Sequence, residues 1–272
     1  MVSRAGLFSG RVIAFVLAAF VAFGGSAVIA QCPDDEEFTT DFRLQDCKFK
    51  HKGDNPFFIL EPGFQLVLEG EEDGDELLLH VTVLDETELI DLGAQGLGRI
   101  KTRVVEEREW VNGELEEVSR NFFGRCEQTN AIYYFGEEVD PPEGIWRAGV
   151  NGALPGLIMP GTFLLGSKYF QEIAEEDDAI DRGQNTAMGL DVSVDAGDFT
   201  GCVEVVDTNP AEGVCDVEEG DVKTYCPGIG LVIDEEVELT WYGFVDSDDD
   251  EDEETDEEEE EELRVNRSAY DR

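Results

Sequence analysis

Apart from its carboxylates, this chain has few side chains that could perform hydrolytic chemistry. His51 and His80 are its two imidazoles, and neither belongs to a nucleophile motif. Because a nucleophilic triad needs a base beside its nucleophile, the sequence predicts no such centre. Paired carboxylates of the glycosidase kind are the alternative, but 65 acidic residues make any chosen pair uninformative. No catalytic residue is predicted, and a hydrolase using carboxylates is the third of three functional hypotheses.

Four acidic residues near the C-terminus have the spacing of calcium ligands. Asp246, Asp248, Asp250 and Glu257 fall at the ligand offsets of an EF-hand loop. Glu251, however, stands where that loop requires glycine, and no flanking helices are predicted. The sequence therefore favours weak, diffuse calcium binding along this segment, and no other cofactor is expected.

Aromatic side chains are the candidates for binding an apolar ligand. The residues are Tyr133, Phe135, Trp146, Tyr169 and Tyr225. In a strand, Tyr133 and Phe135 would share one face while Tyr134 points to the other, so only one of these sets can line a given cavity. Packing in the core is the alternative role for all of them.

The charge of the chain excludes some partners. The formal net charge is -46, from 65 acidic and 19 basic residues. Such a surface repels nucleic acid and anionic membranes. Much of the charge lies in the segment DSDDDEDEETDEEEEEE, but the body before it is also strongly acidic. A surface adapted to high salt or responsive to cations is therefore the second functional hypothesis.

The N-terminus has the features of an export signal. Arg4 and Arg11 precede an apolar run over residues 12–23, and small residues follow up to Ala30. This order is typical of a signal peptide over residues 1–30, and the run is too short to span a membrane comfortably. We expect a secreted, periplasmic or cell-surface protein with no transmembrane anchor after cleavage.

Export changes the interpretation of the cysteines, because thiols outside the cytoplasm pair. The six residues are Cys32, Cys47, Cys126, Cys202, Cys215 and Cys226. We predict Cys32 with Cys47, Cys202 with Cys226 and Cys126 with Cys215. Cys126 with Cys202 and Cys215 with Cys226 is the alternative for the last four. A zinc site is not predicted, since no CxxC occurs and the histidines are isolated.

The elements that position these residues are predicted to be strands. Alternating or β-favouring segments at residues 64–69, 77–86, 100–110 and 131–139 are separated by turn sequences such as Asp73-Gly74 and Asn112-Gly113. Further short strands are predicted at 189–194, 202–207, 221–225 and 230–237. The segment 168–174 fits either a strand or one helical turn. Glycines and prolines in IWRAGVNGALPGLIMPG, residues 145–161, favour a fixed, partly buried turn structure.

Roughly ten strands without a convincing amphipathic helix predict a mainly β fold. We expect a single antiparallel sheet curved into a half-barrel or barrel. Residues 55–245 form this β domain, residues 31–54 a Cys-bearing N-terminal arm, and residues 246–272 an acidic disordered tail.

Several ordered segments resemble a family of secreted bacterial proteins of unknown function. They are PGFQLVLEG, VTVLDET, NGELEEVSRNFFG, IYYFGEEVD, IWRAGVNGALPGLIMPG, KYFQEIA and YCPGIGLVID. The resemblance covers residues 55–234 and implies one exported β-rich domain, with no catalytic residue to carry over. The ending KTYCPGIGLVIDEE is also similar to exported half-barrel carriers of lipids or lipoproteins, such as the outer-membrane lipoprotein carrier class. The leading hypothesis is accordingly a noncatalytic binding or carrier domain for an apolar ligand.

Overall fold

The computed structural model describes residues 32, 37–142 and 145–245 of the chain. The predicted signal peptide, residues 1–30, lies outside this part. So do the acidic tail and its calcium candidates Asp246, Asp248, Asp250 and Glu257.

The described residues contain seventeen strands, three short 3-10 turns and no α-helix. No helix in this part of the chain has the length and apolarity needed to cross a membrane. The strands are β1 (Phe49–Lys50), β2 (Asp54–Asn55), β3 (Phe58–Ile59), β4 (Phe64–Glu72), β5 (Asp75–Leu92), β6 (Gly98–Val111), β7 (Glu114–Cys126), β8 (Ile132–Asp140), β9 (Trp146–Arg147), β10 (Leu154–Met159), β11 (Lys168–Phe170), β12 (Glu172–Ile173), β13 (Arg182–Val194), β14 (Gly197–Thr208), β15 (Asp221–Cys226), β16 (Gly230–Asp234) and β17 (Val237–Phe244).

Fifteen of these strands form one antiparallel sheet, which confirms the predicted fold class. Its order is β11-β13-β14-β15-β16-β17-β4-β5-β6-β7-β8-β10-β12, with β1 added to β7 and β9 to β8. The hairpin β2-β3 stands apart from the sheet. Most neighbours in the order are also neighbours in sequence, as in a meander.

The two ends of this order lie next to each other in the chain, because Gln171 alone separates β11 from β12. The backbone N–H groups of Gln171 and Glu172 both donate to the carbonyl oxygen of Asp181, at 2.7 and 3.3 Å. The sheet is therefore not closed by one continuous strand ladder, but it is curved enough to bring its ends together.

Local sequence explains the hairpin turns. Asp73-Gly74 has φ values of 53° and 98°, and Asn112-Gly113 has values of 52° and 80°. Two successive left-handed residues are the type I′ geometry that Asn-Gly and Asp-Gly favour, so both predicted turns are confirmed.

Two predictions about the strands need correction. Residues 230–237 are not one strand, because Glu235 adopts a φ of 51° and the chain turns between β16 and β17. The stretch 145–161 contains a turn, but it also contains the six-residue strand β10, which pairs with β8 and β12. Its prolines and glycines are tolerated there because Pro155 and Gly156 lie close to the end of the sheet order.

The N-terminal arm crosses the face of the sheet opposite to the interior. The Phe49 ring of β1 packs edge-on against Tyr133 at 5.7 Å and against Phe135 at 5.2 Å. Thr39 forms an isolated parallel bridge with Tyr169 in β11. The arm therefore extends across the sheet from β11 to β7.

The disulfides are Cys32–Cys215, Cys47–Cys126 and Cys202–Cys226. The path of the arm across the sheet explains the first two. The predicted Cys202–Cys226 pair is confirmed. The predicted pairs Cys32–Cys47 and Cys126–Cys215 are wrong, because the arm is extended and each of its cysteines meets a distant part of the fold. The two arm disulfides join residues 183 and 79 positions apart.

Candidate functional site

The interior side chains of the sheet change character partway along several strands. In β6 the inward positions are Val105, Glu107 and Glu109, and in β14 they are Val205 and Asp207. Val105 is opposite Val83 on β5, whereas Glu109 is opposite Glu117 on β7. The interior is thus divided into an apolar half and an acidic half.

The acidic half is defined by eight carboxyl residues and one lysine. They are Glu107, Glu109, Glu117, Glu137, Glu172, Asp181, Asp207, Asp234 and Lys223. All of them are buried or half-buried. Buried charges of one sign are costly unless they are paired or protonated, so this region needs an explanation.

The apolar half contains a cavity of about 60 Å³. Its lining residues are Phe58, Ile59, Phe64, Leu66, Val81, Val83, Val105, Glu107, Phe123, Tyr134, Ile158, Lys223, Tyr225, Ile229, Gly230 and Leu231. A water molecule needs roughly 10–15 Å³ on a comparable scale, whereas pockets for drug-sized ligands measure about 300–1,000 Å³. The cavity in this structure therefore has room for a short apolar group and not for a whole lipid.

One wall of the cavity is formed by residues 54–60, which we call the roof segment. It contains the β2-β3 hairpin, and its Phe58 ring packs against Phe123 with centroids 5.0 Å apart. Asn55 fixes the segment, since its side-chain amide donates to the carbonyl oxygens of Asn130 at 2.9 Å and Pro160 at 3.0 Å. The roof segment lies outside the large sheet, and the N–H of Gly228 donates to the carbonyl oxygen of Pro56 within it at 2.7 Å.

Lys223 occupies the boundary between the two halves. Its Nζ lies 3.6 Å from Oδ2 of Asp207 and 3.7 Å from Oδ2 of Asp234. Burial disfavours the charged lysine, but Asp234 and Asp207 outweigh this and raise its pKa well above the ordinary value. The side-chain amide of Gln171 donates to Oδ1 of Asp207 at 2.8 Å and completes this ion-pair network.

Two carboxyl groups on β6 are held close to neutrality. Burial, opposed by Lys223, raises the pKa of Glu107 to about 7. Burial and the neighbouring Glu117 raise the pKa of Glu109 to about 8. These groups exchange protons near physiological pH, where an ordinary glutamate is fully ionised.

A second set of acids meets where β8 approaches β12. Burial raises the pKa of both Glu137 and Glu172 well above the ordinary value, and Asp181 reaches a pKa of about 7 for the same reason. Oε1 of Glu137 and Oδ1 of Asp181 are buried and have no hydrogen-bond partner among the described residues. Glu137 is only 7% exposed, so a missing partner at this position is unusual.

A short hydrogen-bonded chain runs from the cavity wall towards these acids. The Tyr134 hydroxyl, whose ring lines the cavity, donates to Oδ1 of Asn121. The amide of Asn121 in turn donates to Oγ of Ser119 at 3.0 Å. Asn121 is directly opposite Glu137 across β7 and β8, so the polar groups form a continuous layer beneath the cavity.

The structure brings one of the five predicted ligand-binding aromatics, Tyr225, to the cavity. Tyr133 and Phe135 lie on the opposite face, where the arm covers them, because strand alternation turns them away from Tyr134. Tyr169 is fully buried and donates from its hydroxyl to Oδ1 of Asn185 at 3.0 Å.

Trp146 does not lie at the mouth of the cavity. Its ring is 2% exposed and packs edge-on against Tyr134, with centroids 5.2 Å apart. Its Nε1 has no hydrogen-bond partner among the described residues. Trp146 is therefore a core residue behind the wall that Tyr134 forms.

The two histidines lie outside the cavity lining in the described part of the chain. His80 lies in β5 as predicted, and its ring packs against Trp110 with centroids 4.7 Å apart. Burial and Lys101 lower the pKa of His51, which therefore stays neutral at physiological pH. Within residues 37–142 and 145–245 no group of three or more His, Cys, Asp or Glu side chains is arranged to hold a metal ion.

Glu107, Lys223 and Tyr134 line the site but were not among the predicted site residues. Tyr134 could have been found from its alternation with Tyr133 and Phe135. Glu107 and Lys223 carry no such sequence signal, because charged residues in a strand normally indicate the solvent-facing side.

No protein-family model, curated protein or solved structure matches the chain. The function is therefore inferred from the arrangement of its own residues.

Proposed function

We propose that this chain is an exported, noncatalytic binding domain that takes an apolar group of a small ligand into the cavity beneath the roof segment. The observation that carries the proposal is the cavity itself. Protein interiors are close-packed, so an unfilled apolar space between the roof segment and the sheet is a feature that needs a reason. A partly enclosed apolar space with a few polar groups at one end is the usual form of a binding site.

The polar lining favours binding over catalysis. Glu107 and Lys223 are the charged side chains that reach the cavity. Lys223 is paired with Asp207 and Asp234, so its ammonium is a structural counter-ion and a poor nucleophile. The three disulfides support export, because such bonds persist in oxidising compartments.

The volume of the cavity limits the ligand. About 60 Å³ accepts a short alkyl or similar group when the roof segment stays in place. A longer chain requires the roof segment to move away from Phe123. The proposal therefore concerns small amphipathic molecules. A lipid-sized ligand, as carried by half-barrel proteins, would bind only if the roof segment moved.

The test is calorimetric titration with straight-chain alcohols of increasing length, using a variant that fills the cavity. Val105 lines the cavity, whereas Val104 on the same strand is buried on the opposite face. We expect Val105→Leu to weaken alcohol binding and Val104→Leu to leave it unchanged. Absence of saturable binding to the unmodified protein, or equal weakening by both variants, would overturn the proposal.

The second candidate function is a surface adapted to high salt or responsive to cations. Exposed Glu71 and Glu76 are directly opposite each other across β4 and β5, and exposed Glu69 and Glu238 are opposite each other across β4 and β17. Like charges in such positions destabilise a sheet unless salt screens them. Melting in calcium against sodium at matched ionic strength separates specific calcium binding from screening.

A further inference from the structure

Several cations lie together on a chain whose formal net charge is -46. Four of its six lysines belong to this group, in or beside β1 and near the start of β6, together with two arginines. We call the group the basic cluster, and its members are Lys48, Lys50, Lys52, Lys101, Arg103 and Arg125. Because acidic residues outnumber basic ones by 65 to 19, such a concentration of cations is not explained by composition.

Strand pairing and hydrogen bonds fix part of the basic cluster around His51. Lys50 is directly opposite Arg125 across β1 and β7. Nε of Arg125 donates to the carbonyl oxygen of Lys52 at 3.4 Å. Nε of Arg103 donates to the carbonyl oxygen of His51 at 2.8 Å. Like charges directly opposite each other destabilise a sheet, so an anion placed beside Lys50 and Arg125 would be favoured.

The His51 imidazole shows that the charges of the cluster converge. Burial lowers its pKa most, and four cations lower it further: Lys101, Arg103, Lys52 and Lys50. Lys101 comes from β6 and is far from His51 in sequence. Two separate parts of the chain therefore direct positive charge to the same place.

Acidic side chains neutralise the basic cluster only in part. Nζ of Lys48 lies 3.2 Å from Oε2 of Glu127, and Nζ of Lys50 lies 3.9 Å from Oε1 of the same residue. Nη1 of Arg103 lies 3.2 Å from Oδ1 of Asp85. Glu127 is thus shared between two lysines, and the cluster keeps a net positive charge.

Two lysines of the cluster have no acidic partner. Lys52 and Lys101 are exposed and form no ion pair within the part of the chain that the structure describes. An ammonium group offers three donors and binds a phosphate-type oxyanion as a point charge. A large polyanion would also meet the acidic surface on the rest of the chain, so the cluster fits a small anion better.

We propose that the basic cluster is a binding site for a small dianionic oxyanion, a phosphate or sulfate group, held beside His51 by Lys50, Lys52 and Lys101. The site goes beyond the proposed function and does not depend on it, because no side chain of the cluster is part of the cavity lining in the described structure. The anion offsets the positive charge around His51. Its imidazole therefore takes up a proton more readily when the anion is bound.

The experiment follows the imidazole signals of His51 and His80 by NMR while sodium sulfate replaces sodium chloride at constant ionic strength. Sulfate is the probe because it stays a dianion throughout the titration of histidine. We expect saturable shifts of the His51 signals and a rise in its pKa. The signals of His80, which packs against Trp110 on β5, should not move.

Methyl phosphate, added at about pH 8 where it is also a dianion, identifies the source of the oxyanion. Binding as tight as that of sulfate would assign the site to an esterified group. Binding of sulfate alone would assign it to a free inorganic ion. Either result supports an oxyanion site at the basic cluster.

Lys52→Met and Lys101→Met should each weaken sulfate binding about tenfold, because each removes a charge-assisted hydrogen bond. Lys101→Met should also raise the pKa of His51 without sulfate, since Lys101 lowers it. Lys168→Met is the matched control and should leave sulfate binding unchanged, because Lys168 already pairs with Glu37 at 2.8 Å. Unchanged thermal melting shows that each variant is folded.

Two results would overturn the inference. Equal shifts of the His51 signals in sulfate and in chloride would show screening without a binding site. Equal weakening of sulfate binding by Lys168→Met and Lys101→Met would show an effect of overall charge. Neither result bears on the cavity, which the alcohol titration tests separately.

Discussion

The apolar and acidic halves of the interior are built on the same strands, yet they are stabilised in different ways. Around Leu66, Val83 and Phe123 the side chains gain free energy simply by leaving water, and this gain does not depend on pH. Around Lys223 the stability depends on ion pairing and on protons bound to buried acids. The free energy of folding contributed by the apolar half is therefore independent of pH, whereas the contribution of the acidic half changes with pH.

The difference teaches that burial alone does not define a core. Glu107 is buried like its neighbours in the apolar half, but its burial opposes folding whenever the carboxyl is ionised. Groups of this kind are retained in functional regions more often than chance suggests, because they prepare a site for a partner. The boundary between the two halves is where the proposed ligand lies.

Removal of the buried ammonium should give the largest effect. Lys223→Met leaves Asp207 and Asp234 without their cation, and we expect a loss of about 3–5 kcal/mol in unfolding free energy near pH 8. Urea denaturation measures this loss. The loss should shrink near pH 5, where the acids protonate, and adding Asp207→Asn should restore part of it.

Lys101→Met, at an exposed position on β6, is the control and should change the stability little. If Lys223→Met were equally mild, the acidic half would not depend on its ion pairs, and the contrast between the halves would fail.

The pH dependence of stability should be the next largest effect. The pKa of Glu107 rises from 4.5 to about 7 on folding, so the folded state binds the proton more tightly than the unfolded state. Its contribution is fully present below pH 4.5 and is lost as the pH rises through 7. Linkage gives a change on the order of 3 kcal/mol across this window.

Glu107→Gln should make the pH profile less steep between about pH 5 and pH 7, as followed by urea denaturation at each pH, while Asp181, whose pKa is also raised to about 7, keeps part of the slope. Glu109, whose pKa is about 8, extends the loss to higher pH in both proteins. A profile that stays as steep in Glu107→Gln as in the unmodified protein would exclude Glu107 as its source.

A smaller change is expected from shortening a side chain in the apolar half. Ile158→Val removes one methylene group from the cavity wall and should cost about 0.5–1.5 kcal/mol. This cost should be the same at pH 5 and pH 8, since no ionisable group changes its surroundings. A clear pH dependence would show that the two halves are coupled and not separate.

The smallest effect concerns acids on the outer surface. Glu71→Lys places opposite charges across β4 and β5 and should stabilise the protein by about 0.2–1 kcal/mol at low salt. Thermal melting should show this gain disappear near 1 M salt, where the Debye length is about 3 Å. A gain that survives high salt would contradict screening as the cause.

The strands were predictable where apolar and polar residues alternate or where turn sequences separate them. The hairpins at Asp73-Gly74 and Asn112-Gly113 are examples, since their left-handed residues appear directly in the sequence. The second half of β6 was harder to interpret, because its inward positions, Glu107 and Glu109, are acidic. A pattern based on hydrophobicity assigns such residues to solvent.

The site could not be predicted, because its residues are far apart in sequence. Lys223 and Glu107 are 116 positions apart, and only the sheet order brings them to the same cavity. The two arm disulfides were missed because spacing in sequence favours near neighbours, whereas the arm reaches Cys126 and Cys215 across the sheet. Membership of the secreted bacterial family stays a prediction.

The contact between the arm and β11 has a consequence for the behaviour of the protein in solution. Thr39 donates its N–H to Lys168 and accepts the N–H of Phe170, each at 3.0 Å, and so occupies backbone groups that would otherwise face outward. An uncovered edge strand is a template for pairing with another copy of the chain. The Cys32–Cys215 bridge ties the arm to the sheet, so we expect reduction of this bridge to favour association through β11, which size-exclusion chromatography with and without a reducing agent would detect.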